Sequence, residues 1–533
     1  MRRFADLLDR LSTQPQRNAK IRLLIEYFEG APDPDRGYAL AALTSDLDFA
    51  RAKPAMLRGL VMERVDPVLF GLSYDYVGDL AETASLIWPE PPEAQQPASP
   101  FLSDVVHGLE TASKSDIPAL IARWFDALDP TGRWALGKLI TGALRVGVSA
   151  RLAKTALAQM GGIEVNALEE IWPGLKAPYA DLFAWLEGAG PMPEIAAQAP
   201  FRPVMLATPF EDPDWGLDPR AYRAEWKWDG IRIQAVSEKG NRRLYSRTGE
   251  DISGTFPDVI EAMDFEGAVD GELLVARDGV VAPFSDLQKR LNRKTVSVKL
   301  IASHPVIIRA YDLLMRDGRD LRPEPFDVRR AALEEAAADW ALPFLDLSQM
   351  VSFETWEELA EKRAGDLAPG VEGLMLKRGD SPYTPGRAKG PWFKWKRDPF
   401  LIDAVLLYAQ RGHGKRSSFY SDYTFGVWHE SEDGPALIPV GKAYFGFTDA
   451  ELKDIDKFIR QNTTNRFGPV REVVHGPDEG LVLEVAFEGL QRSPRHKSGV
   501  AMRFPRVNRL RWDKPPREAD TLQALSALLP PEA

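Results

Sequence analysis

The sequence predicts a three-part chain: an all-α N-terminal region, an α+β middle and a small C-terminal β-barrel. Three observations carry this. Up to about residue 190 the apolar residues recur at helical spacing. Beyond about 220 the texture changes to short alternating segments separated by glycine turns. Two proline-rich stretches punctuate the chain. Its 533 residues are several times the length of a single domain and allow roughly three. Hydrophobic residues at 44% and charged residues at 27% can build packed cores.

The elements follow in order. In MRRFADLLDRLSTQPQRNAK, Leu7, Leu8 and Leu11 sit at helical spacing without a continuous apolar run. This predicts an amphipathic helix and not a signal peptide. In DIPALIARWFDAL, Asp116 stands at an N-cap position and Pro118 in the first turn, and Ile117, Leu120, Ile121, Trp124 and Leu128 share a face. The run WPEPPEAQQPASP at 88–100 reads as a loop between helices. Pro191, Pro193, Pro200, Pro203, Pro209, Pro213 and Pro219 mark a linker. Strand-like segments then continue to about 398. From about 400 to 515, DAVLLYAQRGHGK, DYTFGVWHE and LVLEVAFEG read as strands of a barrel. Leu522, Leu525, Leu528 and Leu529 form a short closing helix. The expected boundaries are 1–195, 200–398, 400–517 and 518–533.

Composition excludes several classes. With no cysteine there are no disulfides and no Cys-ligated zinc. No stretch approaches the ~20 apolar residues of a membrane helix, and nothing addresses the chain out of the cytosol, so a cytoplasmic protein without a membrane partner is expected. The net charge of −11 argues at first sight against a nucleic-acid partner. The charges are segregated, however. Lys289, Arg290, Arg293, Lys294 and Lys299 form one basic window; Arg387, Lys389, Lys394, Lys396 and Arg397 form a second; Arg492 to Arg517 holds nine Arg or Lys against one Asp. Three such windows, two of them rich in Trp and Phe, favour phosphate contacts.

The segment AEWKWDGIR, 224–232, concentrates the chemistry. Strand alternation puts Glu225, Lys227 and Asp229 on one face and Ala224, Trp226 and Trp228 on the other. A lysine between two carboxylates is either a solvated surface residue or a nucleophile, since a lysine in a dry, structured site sheds its proton readily and its amine can attack phosphorus or carbon. Further along stand Tyr245-Ser246-Arg247-Thr248-Gly249-Glu250, Ala268-Val269-Asp270-Gly271-Glu272, Arg309-Ala310-Tyr311-Asp312, Val371-Glu372-Gly373-Leu374-Met375-Leu376-Lys377, Trp392-Phe393-Lys394-Trp395-Lys396 and Arg509-Leu510-Arg511-Trp512-Asp513-Lys514. Alternation pairs Asp270 with Glu272, and Lys394 with Lys396, on single strand faces.

Lys227, Asp229, Gly230 and Arg232 match the Lys-x-Asp-Gly-x-Arg motif of the covalent nucleotidyltransferase superfamily. The six later segments resemble its other motifs in the correct order over about 290 residues. The resemblance implies a nucleotidyltransferase (adenylation) domain followed by an OB-fold barrel. It implies that Lys227 attacks the α-phosphorus of ATP to form lysyl-AMP. Glu225 would meet the adenine edge and Tyr311 its face, Arg232 and Glu272 the ribose, Lys394 and Lys396 the α-phosphate, and Arg247 the 5′-phosphate of a nick. Glu372, with Glu272, would hold Mg²⁺, a hard cation suited to phosphate oxygens. Arg387 would be a further nucleotide contact, and Arg511, Asp513 and Lys514 would close over ATP in the first step. The family often carries Phe where Tyr311 stands; tyrosine keeps the stacking face.

Within the superfamily the chain resembles ATP-dependent DNA ligases that carry an N-terminal helical DNA-binding domain. GKLITGALRVGVS (137–149) and YDYVGDLAETA (74–84) resemble pieces of that domain, and RPVMLAT (202–208) resembles its linker to the catalytic core. NAD-dependent ligases carry a four-cysteine zinc site, which this chain lacks. The resemblance implies nicked duplex DNA as the partner, gripped through its backbone and not by base reading, and a monomer by family habit. An RNA ligase and a catalytically silent nucleic-acid-binding protein remain alternatives at this point.

Overall fold

A computed structural model describes the chain except residues 93–96, 143, 194–197, 292, 294–295, 366, 412–418, 432–433 and 530–533, with the side chains at 75–76 and 212–213 also left out. Lys294 of the first basic window therefore lies outside the described residues. The chain divides into two compact units, Met1–Ala156 with Asp398–Ala533, and Leu157–Arg397. No helix among the described residues is long and apolar enough to cross a membrane.

The N-terminal segment is helical, as the periodicity predicts. The first helix, Arg2–Thr13, buries Phe4, Leu7, Leu8 and Leu11. The helix Ile117–Ala127 buries Ile117, Ile121 and Trp124, while Leu120 is only half-buried. Asp116 precedes it but caps nothing, because its carboxylate accepts from the Ser113 hydroxyl instead (2.6 Å). The proline-rich run at 88–100 lies between the helices Leu80–Ile87 and Leu102–Thr111.

The two segments singled out in this region pack on each other. Asp79 caps the helix Leu80–Ile87 by accepting from Glu82 N–H, and its other oxygen takes Lys138 Nζ at 2.5 Å. Next to Lys138, a β-carbon on Gly137 would stand 2.8 Å from that of Ala81, so the helix Pro130–Thr141 approaches closely only because residue 137 is glycine. After that helix, the buried Lys20 ammonium donates to the carbonyls of Val146 (2.6 Å) and Gly147 (3.0 Å) and fixes the loop.

The unit Leu157–Arg397 begins with the helices Val165–Ile171 and Ala180–Leu186 and then builds two sheets. Their main strands are β1 (Tyr222–Trp228), β2 (Ile231–Glu238), β3 (Asn241–Ser246), β4 (Gly267–Arg277), β5 (Val306–Arg316), β6 (Val371–Arg378) and β7 (Trp392–Lys396). One sheet runs β7-β6-β1, with short strands at Thr208–Pro209 and Met350–Val351 on its edges. The other runs β3-β2-β4-β5, these four antiparallel, with the short strand Leu345–Leu347 pairing parallel to β5. Helix Trp356–Ala364 covers the apolar side of the first through Trp356 and Leu359, against Ala224, Leu374 and Leu376. Helix Phe326–Trp340 covers part of the second through Leu333 and Ala336. Val236, Ala268 and Leu314 of the second sheet meet Trp392 of the first in one apolar cluster.

The chain passes from one sheet to the other at Asp229–Gly230. A β-carbon at 230 would stand 2.4 Å from the carbonyl oxygen of Leu273, so only glycine fits that crossing. After Arg397 the strand Phe400–Arg411 anchors a seven-stranded half-barrel, pairing with Tyr420–Ser431 along part of its length and with Val482–Phe487 along the rest. Ile402, Leu406, Phe425, Leu483, Val485 and Val507 fill its interior, and Leu525 of the C-terminal helix Leu522–Ser526 joins them.

The close helix contact yields a stability test. Gly137→Val overpacks the seam with Ala81 and is expected to cost about 1–3 kcal/mol, read as a lower urea midpoint. An unchanged midpoint would mean that the two helices part without penalty.

Candidate active site

Lys227 sits near the end of β1, where its Cα partner across the ladder is Gly373 of β6. The β1–β6 pairing shifts register between Val371 and Gly373. Such a bulge re-aims one side chain, and the residue at the shift, Glu372, pairs its carboxylate with Lys227 Nζ. Gly373 is required on the same ground: with φ +144, a β-carbon would stand 2.3 Å from Trp395 O. On β7, Lys394 and Lys396 are both half-exposed, and Lys396 Nζ lies 3.6 Å from the other oxygen of Glu372.

The cations crowd. Lys394 is held below the ordinary lysine range, first by burial and then by the charges of Arg387, Lys396, Lys227 and Arg247. Arg247 is lowered too, by burial and by Arg232 and Arg387. Arg247 and Arg387 are themselves exposed residues, Arg247 just beyond β3 and Arg387 in the loop before β7. Glu272 on β4 is the counterpart carboxyl. Burial raises it to about 8, opposed by Lys227 and Arg232 and assisted by Glu372 and Asp270. Five cationic side chains thus face one region with few anions among them.

Arg232 and Glu225 are engaged inside the protein. Arg232 makes a two-pronged pair with the buried Asp270 (2.9 and 2.6 Å) and donates to Met205 O (2.7 Å). The Tyr383 hydroxyl donates to the same Asp270 at 2.6 Å. Glu225 is almost wholly covered, with Lys377 Nζ 2.6 Å from one oxygen and Arg330 Nη1 3.0 Å from the other. Tyr311 on β5 lies near both groups, its ring centre 5.9 Å from the Arg232 guanidinium and 4.6 Å from Lys377 Nζ. Asp229 stands just past β1, where its N–H donates to Gly370 O (2.7 Å).

The third motif group lies in the other unit. Arg511 forms a two-pronged pair with Asp513 and also reaches Asp403 (3.1 Å), which takes Lys514 Nζ at 2.8 Å as well. The first basic window is in part structural. Arg290 is fully buried on Asp258 (2.5 Å) and on the ring of Phe256, so it offers nothing to a phosphate; Lys289 pairs with Asp286.

Tyr383, Lys377 and Arg330 escaped the sequence reading as site residues. Tyr383 falls in a stretch with no periodicity to place it, and Lys377 reads as one more lysine at a strand end. Tyr383 gains a role from Asp270 on the second sheet, and Lys377 from Glu225 on the neighbouring strand together with Tyr311 on the second sheet.

Residues 204–396 match the family model of the ATP-dependent DNA ligase domain, and residues 416–514 match that of the ATP-dependent DNA ligase C-terminal region. A "Probable DNA ligase" of Koribacter versatilis is 31% identical over 98% of this chain and 95% of its own length. "DNA ligase 1" of Korarchaeum cryptofilum is 29% identical over 98% and 97%. The solved structure titled "Pmar-Lig_Pre." shares the fold, with a TM-score of 0.62 at 14% identity over 96% of this chain and 99% of that one. The class is that of DNA-joining enzymes, and the chain belongs to the ATP-dependent DNA ligase family. Its activity is the ATP-dependent sealing of nicks in DNA, with Mg²⁺ as the family's usual metal.

The donor set fits both groups. A triphosphate would add anions to a region where Lys227 and Lys396 share one carboxylate, Glu372, and Lys394, Arg247 and Arg387 stand close enough to influence one another. The described residues hold no group of three or more Asp, Glu, His or Cys arranged for a metal. Mg²⁺ commonly takes one or two carboxylates plus phosphate oxygens and water, and Glu272 and Glu372 are the two carboxyls that would be available to it.

The raised Glu272 carboxyl predicts a pH effect on stability. Between about 4.5 and about 8 the folded protein binds a proton at Glu272 that the unfolded chain does not, so stability falls as pH rises across that window. Glu272→Gln should flatten the slope of melting temperature against pH there, in protein free of nucleotide and metal. An identical slope in both proteins would show that Glu272 titrates normally.

Proposed function

We propose that Lys227 is the residue that carries AMP. The observation that supports this best is its place opposite Glu372, within reach of the field of Lys394 and Lys396. A lysine must lose a proton before it can attack, and the Glu372 carboxylate is positioned to accept it. The Lys227 amine then forms a bond to the α-phosphorus of ATP as the bond to pyrophosphate breaks. In-line transfer of this kind relies on positioning and charge stabilisation more than on covalent help. Lys394 and Lys396 neutralise the α-phosphate. Glu372 and Glu272 would hold Mg²⁺, which would supply positive charge toward the phosphate oxygens when bound. AMP then moves to the 5′-phosphate of the nick, beside Arg247, and the 3′-hydroxyl displaces it.

Tyr311 stacks on the purine and Glu225 faces its edge, while Arg387 reaches the nucleotide from its loop. Arg232 approaches the ribose from its pair with Asp270, and its inward hydrogen bonds make it a rigid wall more than a free donor. Asp229, at the sheet crossing, helps to set the position of Lys227. Arg511, Asp513 and Lys514 act on ATP in the first step only. The helical segment up to about 195 grips the DNA, the region 200–398 is the adenylation domain, and 400–517 with its tail at 518–533 is an OB-fold domain. The protein works as a monomer on nicked duplex DNA.

Mixed with α-labelled ATP and Mg²⁺ and then denatured, the native protein should retain label and release it onto nicked DNA. Lys227→Ala should retain none and seal nothing, while binding a nick within a few-fold of native affinity. Label on the Lys227→Ala chain would place the adduct elsewhere. Lys394→Ala and Lys396→Ala should each slow labelling by roughly 10²-fold or more, as loss of a charge-stabilising donor does. Rates within threefold of native would remove them from the transfer step.

A further inference from the structure

Lys377 lies at the end of β6 in one sheet and reaches across to β5 in the other. Its ammonium pairs with Glu225 (2.6 Å) and donates to the backbone carbonyl of Tyr311 (2.9 Å). The rings of Tyr311, Phe326 and Trp392 surround it, with centres 4.6–4.8 Å away. Its side chain is 1% exposed and that of Glu225 2%. A buried ammonium is costly unless every proton has a partner, and here the partners are two residues placed against the purine, one from each sheet.

We infer that Lys377 is a positioning residue that sets the nucleobase preference of the ligase by holding the Glu225 carboxylate and the Tyr311 backbone in one fixed geometry. This rests on the reading that Glu225 and Tyr311 flank the purine. The chemistry follows from hydrogen-bond roles. An ionised carboxylate only accepts, so it suits the exocyclic amine of adenine and opposes the carbonyl oxygen at the same place in guanine. Burial pushes Glu225 toward its neutral form, and Lys377 is the largest opposing influence. Without Lys377 the carboxyl can keep a proton, donate to guanine and lose its discrimination. Arg330 alone cannot replace the strut, because it also bonds Glu334 and Ser348 O and makes no bond to Tyr311.

The test is lysyl-nucleotide formation by full-length Lys377→Met, with ATP and GTP each titrated. The expected result is a KM for ATP raised at least tenfold, a kcat changed less than threefold, and an ATP-to-GTP preference reduced at least tenfold. A purely structural role would lower the melting temperature and the active fraction but leave KM and preference alone. A folded Lys377→Met protein with KM and preference within twofold of native overturns the inference. Should that variant not fold, Lys377→Arg decides: its planar fork cannot place one nitrogen on both partners, so preference should fall at least threefold, and an unchanged ratio overturns the inference. Glu225→Gln and Tyr311→Ala serve as the control. If they shift KM and preference while Lys377 variants do not, only the role of Lys377 fails. If they too shift nothing, the purine pocket itself has been misplaced.

Discussion

Charge buried between two sheets must be paired, and that constraint organises the catalytic unit. Removing one partner from a buried ion pair costs about 3–5 kcal/mol, because the other charge is left without water or counterion. Between β1, β2, β4, β5 and β6 the structure places Arg232 on Asp270, Arg329 on Asp312, and Glu225 between Lys377 and Arg330. Arg329 and Asp312 are both fully buried. Arg232–Asp270 and Lys377–Glu225 each join two neighbouring strands of one sheet, and Arg329 and Arg330 tie Asp312 of the second sheet and Glu225 of the first to the same helix, Phe326–Trp340. The apolar cluster of Val236, Ala268, Leu314 and Trp392 fills space nearby, but its packing alone is non-directional.

Pairing stops at the edge of this network. Lys394, Arg247 and Arg387 repel one another, while among the described residues Glu372 and Glu272, the latter pushed up by burial, stand beside Lys227. On the proposed reading, a polyanion with its metal would complete the charge balance of this unit. That is a preorganised site in the useful sense: donors are already in place where charge develops, so little reorganisation is needed at the moment of transfer.

Much of the arrangement was legible in the residues. Helical periodicity placed the N-terminal helices, and alternation placed Lys394 beside Lys396. Gly230 followed from the motif and acquired its reason from the Leu273 carbonyl at the sheet crossing. Other expectations changed meaning. Arg232 and Glu225, expected simply at the ribose and the base edge, prove to be tied inward by Asp270 and by Lys377 with Arg330. Arg290 looked like one of a row of phosphate-binding cations, yet Asp258 and the Phe256 ring enclose it. A window of basic residues carries no information about which of them finds a local carboxylate.

The linear order of residues by itself determined the class of chemistry, the nucleophile candidate and the succession of helical, mixed and barrel regions. These depend on local period and on short motifs, which survive in one dimension. Tertiary structure alone decided which charges are satisfied internally and which face outward. Glu372 turns toward Lys227 because of a register shift between two strands nearly 150 residues apart in sequence, where their partners are Lys227 and Gly373. Lys377 finds Glu225 on the neighbouring strand of its own sheet, and Tyr311 because the two sheets meet. Pairing energies fall steeply with distance and rise with burial, and neither quantity exists until the chain has folded.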